Sequence, residues 1–152
     1  MRIAHKVSVL LIAFALLLVL LLLPRHGQGA QQDFGDYIVR CNAITTDQLL
    51  AAVAKSYGIE RSAQRGLLNV AVERKGGGAT QMVNADIRAE VSDLTGHKQA
   101  IALRETSENG DVDYLGEFPL NGSGAYVFVV KVTLPGHAQP YEVRFNQDYV
   151  VD

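Results

Sequence analysis

The chain has 152 residues, with 14 Lys+Arg, 16 Asp+Glu and a single Cys. Three of the basic residues (Arg2, Lys6, Arg25) and no acidic ones fall in residues 1–30, which leaves 11 basic against 16 acidic residues in the remainder. So acidic a remainder lacks the basic face that nucleic acid requires, and one Cys excludes an intramolecular disulfide. The patterns CxxC, HExxH, GxxxxGKS/T and GxSxG are absent, which closes the common motif routes to an enzyme. The expectation is a non-enzymatic protein without a cofactor.

Residues 1–30 read as a secretory signal. Arg2, His5 and Lys6 form a basic start, and residues 7–23 are apolar and uncharged, broken only by Ser8. Pro24 ends the run, and Gly27-Gln28-Gly29-Ala30 offers small residues for cleavage after Gly29 or Ala30. The alternative is an uncleaved anchor, because 17 apolar residues approach the roughly 18 of a spanning helix. Either reading carries residues 31–152 across the inner membrane, since the basic start stays on the cytoplasmic side. The expected location is the periplasm or beyond, with membrane contact only through residues 7–23 if the signal is retained.

The remainder is dominated by period two, the pattern of half-buried strands. Tyr37, Val39 and Cys41 share one face of residues 36–43. Leu68, Val70 and Val72 repeat the pattern in 67–74, and Val83, Ala85, Ile87, Ala89 and Val91 show it most clearly in 82–92. Ile101 and Leu103 mark 98–106, and Val112, Tyr114, Phe118 and Leu120 mark 111–120. Tyr126, Phe128, Val130, Val132 and Leu134 follow in 125–134; Tyr141, Val143, Phe145, Tyr149 and Val151 follow in 140–151. Asn109-Gly110 and Asn121-Gly122 are hairpin signals, and Gly76-Gly77-Gly78, Gly96 and Pro135-Gly136 punctuate other joints. This spacing predicts an immunoglobulin-like antiparallel β-sandwich of about seven strands over residues 31–152.

One stretch departs from period two. Thr45 and Gln48 have capping-box spacing, and Leu49, Val53 and Tyr57 recur on one helical face. Gly58 supplies a left-handed cap, with Ile59 as its apolar clasp. A short helix over Thr46–Tyr57 is predicted, between strands 1 and 2 and packed on an end of the sandwich.

Few residues offer chemistry. Cys41 shares a strand face with Tyr37 and Val39 and is expected in the core, where a thiol is an inert small hydrophobe. His97 and His137 follow turn glycines and, with Met82 and Cys41, are the only soft metal ligands of the domain; their spacing supports no site. Glu108, Asp111 and Asp113 surround a hairpin tip without the order of a calcium loop. Residues 59–66 are more distinctive. Arg61 and Arg65 are four apart around Ser62, and arginine forks bind carboxylates and phosphates. Arg61, Ser62 and Arg65 are therefore the candidate binding residues, against the alternative that they tie the helix to the sheet.

Tyr57-Gly58-Ile59, Arg61-Ser62 and the run Arg65-Gly66-Leu67-Leu68-Asn69-Val70 resemble the signature segment of a bacterial secreted family, domain of unknown function family 4426. Gly35-Asp36-Tyr37, Asn42-Ala43, Arg104-Glu105 and the closing Arg144-Phe145-Asn146-Gln147 with Tyr149-Val150 are similar in order. The resemblance implies a signal peptide plus a compact exported domain, and it brings no catalytic residues. Cys41 departs from the family pattern, where an aromatic residue is expected.

The functional expectation is an exported binding or accessory module contacting another envelope protein. A periplasmic metal or small-ligand carrier is the alternative.

Overall fold

The computed structural model describes residues 29–78, 80–108 and 110–151. The apolar run 7–23 lies outside them, and no helix among the described residues is long and apolar enough to cross a membrane.

The strands are β1 (Gly29–Phe34), β2 (Tyr37–Thr45), β3 (Arg65–Lys75), β4 (Thr80–Met82), β5 (Asp86–Ser92), β6 (Lys98–Ile101), β7 (Arg104–Glu108), β8 (Asp111–Pro119), β9 (Gly124–Thr133) and β10 (Tyr141–Tyr149). All pairings are antiparallel. One sheet runs β1-β2-β3-β8-β7, with β4 pairing the far end of β3; the other runs β10-β9-β5-β6. The predicted inward faces meet between the sheets, where Val39, Leu68, Val70, Val72, Phe128, Val130, Val132 and Val143 are wholly buried. Phe128 stacks on Phe145 with ring centroids 4.8 Å apart, and Phe118 meets Phe128 edge-on at 5.3 Å. The result is an all-β, sandwich-like fold with one short α-helix.

The structure has three more strands than the alternation suggests, each for a physical reason. β1 is polar except at its ends and pairs only with β2, so it has no period-two stripe. β4 is three residues long. The segment 98–106 divides at Ala102-Leu103, where the chain leaves the second sheet and enters the first. Glu108 and Asp111 pair across positions 109–110, as a hairpin requires. Asn121-Gly122 is not a hairpin turn: it links β8 of one sheet to β9 of the other. The Tyr126 hydroxyl holds this crossing, accepting from the Asn121 amide and donating to the Gly122 carbonyl, both at 3.0 Å.

The helix also differs from the expectation. Thr46–Gln48 form a single 3-10 turn, Leu49 and Leu50 are extended, and α1 spans only Ala51–Tyr57. Gln48 donates to the Thr45 hydroxyl at 2.8 Å, and neither side chain caps a backbone amide. The break frees Thr46 to turn fully inward. The exit follows the predicted chemistry: Gly58 is left-handed (φ 66°), its amide reaches the Lys55 carbonyl at 3.2 Å, and the Ile59 amide reaches Ala54 at 2.8 Å. This is the Schellman pattern with its apolar clasp between Ile59 and Ala54. Because β1 precedes it, α1 stands between β2 and β3. It covers the outer face of the first sheet rather than an end of the sandwich.

Candidate functional site

The outer face of the first sheet carries a second, smaller core. Ala54 and Ile59, from α1 and its exit, pack on Leu67 of β3 and Leu115 of β8, with Ile44, Leu49 and Tyr57 partly buried around them. Leu67 and Leu115 point away from the main core, so β3 and β8 bury apolar residues on both faces. A cavity of about 350 Å³ opens where this cover stops. Leu49, Val53 and Tyr57 wall it on the helix side; Asn42, Asn69, Thr106 and Asp113 form its polar floor.

The sheet register orders this floor. Ile44, Leu67 and Glu117 make one row, and Asn42, Asn69, Leu115 and Arg104 make the next. Arg40, Ala71, Asp113 and Thr106 make the third. The cavity is therefore apolar beneath α1 and turns polar within two rows of the sheet. Arg40 is turned to Glu73, which its Nε meets at 3.1 Å. At the rim the Tyr57 hydroxyl donates to Glu108 at 2.9 Å, and Arg104 donates to the Tyr57 carbonyl at 2.7 Å. The bond to Glu108 pushes the Tyr57 phenol above its ordinary range, with the Glu108 and Asp113 charges adding and Arg104 opposing. Among the described residues, the Asp113 carboxylate has no hydrogen-bond or ion-pair partner, although the Asp113 carbonyl accepts from Thr106 Oγ1 at 3.2 Å.

The loop that closes over the helix is latched by Thr46. Its Oγ1 donates to the Glu60 carbonyl at 2.8 Å, lies 3.1 Å from the Ser62 carbonyl and accepts from the Ser62 amide at 2.8 Å. Of the candidate binding residues, Arg61 donates to the Asp47 carbonyl at 2.6 Å, Arg65 pairs with Glu117 at 3.1 Å, and Ser62 Oγ accepts from the Gln64 amide at 3.1 Å. Both arginines are exposed, and each has a local partner that ties the 59–64 loop to its surroundings.

The remaining candidates are scattered. Cys41 is buried in the core, and desolvation pushes its thiol up to about 12. His97 lies in the β5–β6 connection and His137 in the β9–β10 connection, at opposite ends of β9. At about 3.3 Å per strand residue they stand on the order of 20 Å apart. His137 Nδ1 is 3.2 Å from the Tyr141 hydroxyl. No group of three or more His, Cys, Asp or Glu among the described residues is placed to hold a metal ion, so Glu108, Asp111 and Asp113 form no such cluster there.

Two antiparallel sheets, a short helix and a covered outer face define an all-β, sandwich-like domain. The family described as "Domain of unknown function (DUF4426)" matches residues 31–152, and the chain belongs to it. A DUF4426 protein of Pseudomonas aeruginosa PAO1 is 30% identical, with a TM-score of 0.68, covering 82% of this chain and 97% of that one. Two FetP structures from uropathogenic Escherichia coli strain F11 share the fold at 14% identity. A copper-bound single-residue variant has a TM-score of 0.59 and covers 82% of this chain and 96% of its own. The as-isolated protein, recombinantly expressed in the periplasm, has a TM-score of 0.60 and covers 82% and 95%. No curated protein matches the chain.

Proposed function

We propose that the protein is an exported, non-enzymatic binding module that holds a small ligand in the groove beside α1. The observation that carries this reading is the groove itself. Its volume of about 350 Å³ falls within the roughly 300–1,000 Å³ of ligand sites, and its few polar groups converge on an apolar wall as such sites require. The arginine edge has a cavity of its own, about 420 Å³ and lined by Ser62, Gln64, Arg65 and Glu117, and is the weaker candidate because Arg61 and Arg65 already have local partners. Export rests on the basic start and apolar run of residues 1–30, and the periplasm is the proposed location. The metal-carrier alternative draws on the fold shared with copper-bound FetP, and at 14% identity that likeness reaches no further than the fold.

The test is the fluorescence of N-phenyl-1-naphthylamine, an uncharged apolar dye, on the wild type and on Asn42→Phe, which fills the groove. The wild type should brighten the dye saturably, and the filled variant should not. Equal brightening by both would remove the groove from the reading.

A second reading, contact with another envelope protein, is favoured by two apolar side chains on α1 and its entry: Leu50 is 74% exposed and Val53 37%. A photo-crosslinker at position 50 should then capture one envelope protein that the same crosslinker at exposed position 94 does not. Identical products from both positions would end that reading.

A further inference from the structure

We infer that the groove selects a compact amphiphilic cation, a small amine on an apolar body, with Asp113 as its counter-charge. This rests on the groove being the ligand site and names the class of ligand.

The argument is one of polarity along the groove. Leu49 and Val53 beside Leu67 form an end that favours an apolar body. One sheet row away stand Asn42 and Asn69, cross-strand neighbours, and two rows away stands Asp113. Among the described residues, Asp113 is the only formal charge lining the cavity, and it is half-buried. Two cations share this face: Arg40 is paired with Glu73, and Arg104 is held on the Tyr57 carbonyl at the rim, where the Glu108 carboxylate on the Tyr57 hydroxyl opposes its charge. A partly buried carboxylate left without a partner interacts more strongly with an incoming cation than a fully solvated one does. It also repels an anion of the same shape. The two amides can accept from an ammonium group and orient it without competing for the charge. A free small molecule is the occupant that fits, since the groove between one helix and one sheet face has the volume of a small-molecule site.

The experiment is calorimetric titration with three probes of one body and different heads: 4-phenylbutylamine, 4-phenylbutanol and 4-phenylbutyrate. The capped peptide acetyl-Lys-Leu-amide is the fourth probe. On the wild type the amine should bind at least tenfold more tightly than the alcohol, and the carboxylate more weakly than either. Asp113→Asn should bring the amine to the affinity of the alcohol and leave the alcohol unchanged. If all three heads bind alike, or the anion binds best, the cation assignment falls while the groove stands. If no probe binds, the groove reading falls with it. Tighter binding of the peptide than of 4-phenylbutylamine would transfer the site to a protein partner and overturn the small-molecule assignment. Heat of dilution from the protein alone, showing self-association lost in Asn42→Phe, would place a second copy in the groove and overturn it too.

Discussion

Thr46→Val is the substitution that tests the helix cover most sharply. Thr46 is 0% exposed, and its hydroxyl serves the Glu60 carbonyl and the Ser62 amide at once, each at 2.8 Å. Valine has nearly the same shape, so the packing survives and only the hydrogen bonds are lost. Leaving this part-buried donor and part-buried acceptor without their partner costs toward the lower end of about 1–3 kcal/mol apiece, so a loss of roughly 2–4 kcal/mol is expected. A domain of this length loses roughly 4 °C of melting temperature per kcal/mol, which gives a fall of about 8–16 °C. Thr46→Ser keeps the hydroxyl and removes one methyl, for about 1 kcal/mol and a fall of roughly 4 °C. Differential scanning calorimetry on the three proteins decides the matter. A valine variant as stable as the wild type, or more stable than the serine variant, would refute the latch.

Other expectations follow from single positions. Gly66 lies against the Phe118 ring, which a Cβ would strike; Gly66→Ala should cost about 1–3 kcal/mol by overpacking, measured by urea denaturation, and an unchanged midpoint would contradict the packing. Cys41 should resist a thiol reagent in the native protein and react at once in denaturant. Its thiol rises from 9.0 to about 12 on folding, so the unfolded chain loses its proton first as pH rises. Stability then falls between about pH 9 and pH 12, by up to about 1.4 kcal/mol per unit. Cys41→Ala should lack that part of the decline, and parallel pH profiles for the two proteins would contradict it. The double variant Arg61→Ala/Arg65→Ala removes one exposed backbone contact and one exposed ion pair, each worth about 1 kcal/mol or less. It should melt within roughly 8 °C of the wild type and keep its groove affinity for N-phenyl-1-naphthylamine; loss of that affinity would return the site to the arginine edge.

The inward faces were legible because alternation is a direct consequence of strand geometry. Tyr126, Phe128, Val130, Val132 and Leu134 are all buried. Gly58-Ile59 likewise predicted the exit of α1, because the cap is local chemistry. Features that depend on partners distant in sequence were not legible. Asn121-Gly122 has hairpin composition, and which sheet receives the next strand is decided by β9 pairing with β5 and β10. β1 pairs with β2 alone and rests on β10 through Phe34 and Tyr141, whose ring centroids are 4.6 Å apart, and its first residues also read as the small-residue end of a signal.

The groove left one trace in the sequence. Leu67-Leu68 and Tyr114-Leu115 put apolar residues at consecutive strand positions, which requires cover on both faces of the sheet. Asp113 stood out only as a carboxylate of a hairpin tip, and Asn42 and Asn69 only within the family resemblance; none of them, nor Thr106, pointed to a groove, since a polar residue on an outward face reads as solvent-facing. Their convergence is a property of the register between β2, β3, β8 and β7. Arg61 and Arg65 stood out by type and spacing, whereas the structure shows how each is engaged locally.

The central claim is that the groove beside α1 binds a ligand, and amide-resolved NMR titration of the wild type with 4-phenylbutylamine tests it most directly. The account predicts that the amide signals of Asn42, Asn69, Asp113, Thr106 and Val53 move together and saturate at one equivalent. Shifts centred on Arg61–Arg65, or scattered over the exposed apolar positions Leu94 and Val150, would contradict it.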